Sequence, residues 1–181
     1  VYIRENKNVK PPNPVNPRTR KPKSTKSPGI LGTSWNLGNP LDFSEFDKIP
    51  ERENTVLFFG RIWPYKGLEY LIKAEPFIRA EIPDIKIVIA GSGENMGKYT
   101  DLIRRKESFE IINEHIPYEK VMSLFKSSSL VVVPYVEATQ SSIPPLAFQF
   151  GKPVVVTDVG ALGDIVEDGK QGFVVPPKDE K

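Results

Sequence analysis

From Thr55 to Val175 the chain alternates between short β-branched or apolar runs and segments whose apolar residues recur at helical spacing. Strands are predicted at Thr55–Phe59, Ile85–Ala90, Phe109–Ile112, Leu130–Val133, Pro153–Thr157 and Phe173–Val175. Several of these are apolar on both faces, which suits a sheet covered on both sides. Between them, Leu68, Leu71, Ile72 and Ile78 trace one face of a helix from Gly67 to about Ala80, with Pro76 expected to kink it. Tyr99, Leu102 and Ile103 mark a second helix, Val121, Leu124 and Phe125 a third, Leu146, Ala147 and Phe150 a fourth, and Leu162, Ile165 and Val166 a fifth. Strict alternation predicts an α/β domain with a Rossmann-like parallel sheet and helices on both faces. Such a sheet binds ligands outside the carboxyl ends of its strands.

The remainder of the 181 residues is different in kind. Residues 1–28 are rich in Pro, Lys, Asn and Arg and nearly free of large apolar side chains, so burial cannot offset the entropy of ordering them. They are expected to be a disordered tail, 29–53 a linker with isolated apolar residues, and 54–181 the folded domain. The whole chain carries +2, but residues 1–35 hold eight cations against Glu5 alone, a local +7 that leaves −5 for the rest. Such a tail suits weak contact with an anionic membrane surface; it lacks the interleaved aromatics of a specific nucleic-acid binder. No apolar stretch approaches the ~20 residues of a spanning helix, and no signal-peptide pattern opens the chain, so a cytoplasmic protein, at most peripheral to a membrane, is expected. The absence of cysteine excludes a disulfide scaffold, a thiolate zinc site and a cysteine nucleophile, and His115 is the only histidine.

Three segments carry chemistry. The first strand runs into Gly60-Arg61-Ile62-Trp63-Pro64-Tyr65-Lys66-Gly67, which sets a guanidinium and an ammonium in one loop. Arg offers a planar fork for two phosphate oxygens and Lys a mobile point charge, a natural pair for a diphosphate. The plainer alternative is a solvated Lys66 and an Arg61 paired with a nearby carboxylate. The second strand runs into Ala90-Gly91-Ser92-Gly93-Glu94-Asn95-Met96-Gly97, where glycines permit close backbone approach to a ligand. With Glu110 on the next strand, this invites a nicotinamide-dinucleotide reading, although the third glycine falls one residue late and the loop is not the opening turn. The third segment, Val133-Pro134-Tyr135-Val136-Glu137-Ala138-Thr139-Gln140-Ser141-Ser142-Ile143-Pro144-Pro145, leads from a buried strand into a helix capped by Ser141 or Ser142. Amides there that face an anion must belong to Ser141, Ser142 and Ile143, because Pro144 and Pro145 have none. Glu137 reads either as a solvated loop acid or, among Thr139, Gln140 and the serines, as a ligand for sugar hydroxyls.

Gly60-Arg61-x4-Lys66-Gly67, Ile87-Val88-Ile89-Ala90-Gly91-Ser92-Gly93, Val133-Pro134-Tyr135 with Glu137, Gly151-Lys152-Pro153 through Gly160, and Val166-Glu167-Asp168-Gly169 through Pro177 occur in this order. Together they resemble the C-terminal domain of the group 1, or family 4, retaining glycosyltransferases of GT-B architecture. The resemblance covers Asn54 to the end of the chain. It implies an enzyme of hexosyltransferase type whose donor, a nucleotide-diphosphate sugar, is the substrate and a partner here. Arg61 and Lys66 would hold the diphosphate and Glu137 the sugar hydroxyls, these three being the catalytic candidates. Gly60, Gly91, Gly93, Asn113, Gln140, Ser141, Ser142 and Ile143 would complete the binding site, with Asn113 facing the base and the residues around Gln140–Ile143 capping the phosphates. No metal or other cofactor is expected, since the cations themselves meet the leaving diphosphate. Polysaccharide, lipid-linked sugar or glycoconjugate synthesis is the implied setting. A non-catalytic nucleotide or nucleotide-sugar binding module is the alternative.

The chain departs from the family pattern at three points. Pro145, or Leu146 when counted back from Gly151, stands where a second glutamate is expected, which shifts the ribose contact to Gln140 or a serine. The Gly-Gly-x-x-Glu type of turn reads Gly160-Ala161-Leu162-Gly163-Asp164, with a shorter acid. An N-terminal acceptor domain and the closing C-terminal helices are not in the sequence, so the chain is expected to act as the donor half of an enzyme, inactive alone. His115, beside Glu114 and before Pro117, reads as a plain loop histidine. Trp63 and Ile62 are expected on an exposed cleft face, and the 29–53 linker is expected to be poorly held.

Overall fold

A computed structural model describes residues 48–93 and 96–181. The tail at 1–28, the linker as far as residue 47, and Glu94 and Asn95 of the second glycine loop lie outside the described residues. The strands are β1 (Thr55–Phe59), β2 (Lys86–Ala90), β3 (Phe109–Ile112), β4 (Leu130–Val133), β5 (Val154–Thr157) and β6 (Gly172–Val175). They form one parallel sheet in the order β3-β2-β1-β4-β5-β6. The order reverses between β1 and β4, and this switch point is where a sheet of this class opens a crevice at its carboxyl edge.

Helices cover both faces, as the two-sided apolar runs require. Val56, Phe58, Ile87 and Ile89 point to one face and pack with Leu68, Leu71 and Ile72 of helix α1 (Leu68–Glu81) and Tyr99 of helix α2 (Gly97–Thr100). Leu57, Val88, Val131 and Val133 point to the other. They pack with Leu124 and Phe125 of α3 (Tyr118–Ser127), Ala147 of α4 (Ile143–Gln149) and Leu162 of α5 (Leu162–Ile165). Burying side chains of this size removes about 1.5–3 kcal/mol of apolar exposure each, so the two clusters dominate the stability of the domain. Helix α1 runs through Pro76 to Glu81. The second helix is only one turn long, and Leu102, expected inside it, is 37% exposed beyond its end.

The only buried acid among the described residues is Glu75 of α1, which accepts hydrogen bonds from Ser108 Oγ (2.7 Å) and Arg79 Nε (2.9 Å). Just before β1 the chain is tied down rather than loose. Lys152, 7% exposed, reaches Glu51 (2.5 Å), Arg52 pairs with Glu110 (2.9 Å), and the Arg52 N–H donates to the Ser127 carbonyl (2.8 Å). The end of the stretch expected to be a poorly held linker is therefore fixed to the bottom of the sheet.

Candidate functional site

The loops after β1 and β4 meet at the switch point and are locked together by backbone. Gly67 sits at φ +64 with the Pro134 carbonyl oxygen only 1.9 Å from where a Cβ would stand. The Val136 N–H donates to the Tyr65 carbonyl (2.8 Å). Only glycine combines the left-handed conformation with that approach, which explains the Lys66-Gly67 pair in the sequence. The same principle joins the loops on either side. A Cβ on Gly91 or Gly93 would lie 1.9 Å from the Gly60 oxygen or 2.1 Å from the Ile62 oxygen, and one on Gly160 would lie 1.9 Å from the Ala138 oxygen. The carboxyl edge from β2 to β5 is thus a continuous, backbone-stitched rim.

This stitching corrects one expectation outright. Ile62 is not on an exposed cleft face: it is 0% exposed, bridges Gly93 in parallel, and its N–H donates to the Ser92 carbonyl (3.0 Å). Its neighbour Trp63 is 37% exposed, as expected. Gly91 and Gly93 have a packing reason to be glycine that involves no ligand. Glu110, needed by the nicotinamide reading, lies within β3 and pairs with Arg52.

Lys66 and Arg61 rise from the β1 loop. Among the described residues neither forms an ion pair, so the carboxylate-paired alternative for Arg61 finds no partner. The Lys66 ammonium lies 3.7 Å from the centre of the Tyr135 ring and 5.1 Å from that of Tyr65, and the two rings meet edge to face at 6.1 Å. Partial burial, with repulsion from Arg61 second, lowers the Lys66 pKa from 10.5 to about 8. A Lys66 charge disfavoured by burial and by Arg61 beside it, with neither cation in an ion pair among the described residues, suits an incoming anion at this strand end.

Bonded beside them at the same sheet edge is the β4 loop. Glu137, Gln140 and Ser142 are exposed and Ser141 is half-buried. Helix α4 begins at Ile143 as the serine and proline pattern required, but Ser142 caps nothing through its side chain. Ser141 does so one residue earlier: its hydroxyl accepts the Ile143 N–H (3.2 Å) and lies 3.3 Å from the Tyr135 hydroxyl. The Ile143 amide is therefore already engaged within the chain, which leaves those of Ser141 and Ser142 for an external anion. Asn113 is exposed just after β3, at the same edge but two strands from β1. His115 is exposed in the following loop.

Sequence reasoning placed Tyr135 in a motif but gave it no role. It is 2% exposed, its carbonyl accepts the Thr157 hydroxyl (2.5 Å), and burial raises the pKa of its phenol, so the hydroxyl stays protonated. An aromatic residue two positions beyond an all-apolar strand, rather than a small one, was the available signal.

Comparison with known proteins bears on the family and the fold. The family model for the group 1 glycosyl transferases matches residues 53–181. An uncharacterized glycosyltransferase of Methanocaldococcus jannaschii is 34% identical over 154 residues, covering 82% of this chain and 38% of that protein. The chain thus spans well under half the length of this relative. The C-terminal domain of the group 1 glycosyl transferase LpcC from Francisella tularensis superposes with a TM-score of 0.63 at 22% identity, covering 75% of this chain and 73% of that one. Anabaena HepE, in a structure with UDP and glucose, gives 0.61 at 22% identity over 70% of this chain and 35% of that one.

Proposed function

Because the chain belongs to the group 1 glycosyltransferases, we propose that it is the donor-binding half of a retaining member of that family, built to hold a nucleotide-diphosphate sugar. The observation that carries this reading is the pair Arg61 and Lys66, free of carboxylate partners among the described residues, on a loop at the switch point that is bonded to the β4 loop leading to Glu137 and the Ser141–Ile143 turn. The UDP in the Anabaena structure supports a nucleoside diphosphate as the ligand class.

On this reading Arg61 and Lys66 meet the diphosphate. They bind it more tightly as it departs with additional negative charge, so their contribution is larger in the transition state than in the ground state. They thereby take the part that a metal ion plays in other transferases. The Ser141 and Ser142 amides cap the phosphates from the far side of the crevice, while Gly60, Gly91 and Gly93 form its floor. Glu137 accepts hydrogen bonds from donor-sugar hydroxyls, Gln140 or a serine takes the ribose, and Asn113 faces the base. The acceptor oxygen is delivered from a second domain, and that proximity supplies several kcal/mol of the barrier. The domain alone therefore binds donor without transferring sugar. No helix among the described residues is long and apolar enough to cross a membrane. A cytoplasmic enzyme whose basic residues 1–28 contact anionic lipid weakly, and less as salt is added, fits the charge distribution.

The test is titration of the 181-residue chain with uridine, guanosine and adenosine diphosphates and with NAD. A diphosphate response that depends on Arg61 supports the reading. Binding of NAD with no response to any diphosphate refutes it.

A further inference from the structure

We propose that Tyr135 is a positioning residue of the diphosphate site: its buried ring holds the Lys66 ammonium in place over the crevice without neutralising it. The inference rests on the donor-site reading and adds a residue to which that reading gives no task.

The geometry is specific. A lysine side chain has four rotatable carbons, and fixing its charge normally takes a carboxylate. Such a partner would cancel the charge and have to be displaced by the ligand. Lys66 has none among the described residues; its nitrogen instead lies 3.7 Å from the centre of the Tyr135 ring, close enough for a strong cation–π contact. The ring is itself immobile. Tyr135 is 2% exposed, its carbonyl accepts from Thr157 Oγ1 (2.5 Å), its hydroxyl meets Ser141 Oγ (3.3 Å), and its edge packs against Tyr65 (6.1 Å). The next residue closes the clasp through the Val136 N–H to Tyr65 carbonyl bond (2.8 Å). One side chain thus connects the cation on the β1 loop to the Ser141–Ile143 turn on the β4 loop. An aromatic face attracts the cation but leaves its full charge available to an incoming anion.

The experiment uses the whole chain and inorganic diphosphate. The ε-methylene protons of Lys66, under an aromatic face, resonate upfield of ordinary lysines. They should stay there in Tyr135→Phe and move most of the way back in Tyr135→Leu, where only the more distant Tyr65 ring (5.1 Å) remains. Diphosphate affinity should fall about tenfold in Tyr135→Leu, within the range of a partly desolvated cation–π contact. In Tyr135→Phe it should fall only about threefold, the scale of one neutral hydrogen bond. An ordinary Lys66 shift in the wild type overturns the proposal, and does so even if Tyr135→Leu fails to fold. Equal losses in the Phe and Leu variants, or no loss in the Leu variant, also overturn it. Lys66→Met separates the two levels. If it loses diphosphate binding while Tyr135→Leu does not, the positioning role fails alone; if it binds as wild type, the donor-site reading fails with it.

Discussion

Raising the pH from 7 to 9 should discharge Lys66 and weaken nucleoside-diphosphate binding by about tenfold, or ~1.4 kcal/mol. The reasoning starts from a free-protein pKa of about 8, lowered by burial and by Arg61. At pH 7 about nine-tenths of the molecules carry the ammonium, and at pH 9 about one-tenth do. A bound diphosphate holds the proton on, so binding and protonation are linked, and at pH 8 about half a proton should be taken up per ligand bound. In the ligand-free protein the sign is opposite. The fold holds Lys66 below its ordinary value of 10.5, the unfolded chain binds the extra proton between the two values, and stability rises across pH 8 to 10.5. Calorimetric titration in buffers of different ionisation enthalpy measures both affinity and proton uptake, with Lys66→Met as the control that removes any titration of the ligand itself. Arg61→Ala removes the repulsion and should move the midpoint upward. A flat pH profile in the wild type, or the same slope in Lys66→Met, would refute the assignment.

Three other outcomes follow from the same geometry. Arg61→Ala and Lys66→Ala should each weaken nucleoside-diphosphate binding by about 1.5–3 kcal/mol with the circular dichroism spectrum unchanged, because each removes a charged partner of the ligand that forms no ion pair among the described residues. Glu137→Ala should lower affinity for the sugar-bearing donor while free diphosphate binds as well or better; equal losses for both would take Glu137 out of the sugar role. Gly67→Ala should cost about 2–4 kcal/mol in urea unfolding, combining left-handed strain with the clash against the Pro134 carbonyl.

The strands were legible because each is a short apolar or β-branched run, several of them apolar on both faces, and their observed ends fall within a residue of those expected. The second helix was overread. Tyr99 anchors one turn in the core, but Leu102 kept the helical period without the burial that would have extended it. Ile62 was misplaced because a loop isoleucine between an arginine and a tryptophan looks exposed. Its burial depends on Gly93, 31 positions on, having no side chain. The cations of the site could be read from their types and spacing at a strand end. Their support could not: the residue beneath Lys66 is Tyr135, brought there by a parallel pairing that only the folded sheet creates. The start of α4 is as expected, and of its two candidate caps it is Ser141 whose hydroxyl reaches the Ile143 amide, from outside the helix.

The register between β1 and β4 is short, Val56 with Leu130 and Leu57 with Val131, whereas β1 and β2 pair along their full length. Beyond those pairs the seam is held at its lower end by the Ser129 N–H to the Thr55 carbonyl (2.8 Å) and at its upper end by Val136 to Tyr65 (2.8 Å). It is also the strand pairing of longest sequence separation in the sheet, closing last in a folding reaction governed by loop entropy. The β1-β2-β3 and β4-β5-β6 units are therefore natural candidates for separate cooperative blocks in native-state hydrogen exchange, with sub-global opening along the line that divides them. A ligand that touches Lys66 on one block and the Ser141 turn on the other lies astride that line. Its binding energy is spent against the opening, so the amides of Ser129 and Val136, which bond across that line, should slow in exchange far more than those of β2, although no part of the ligand reaches them.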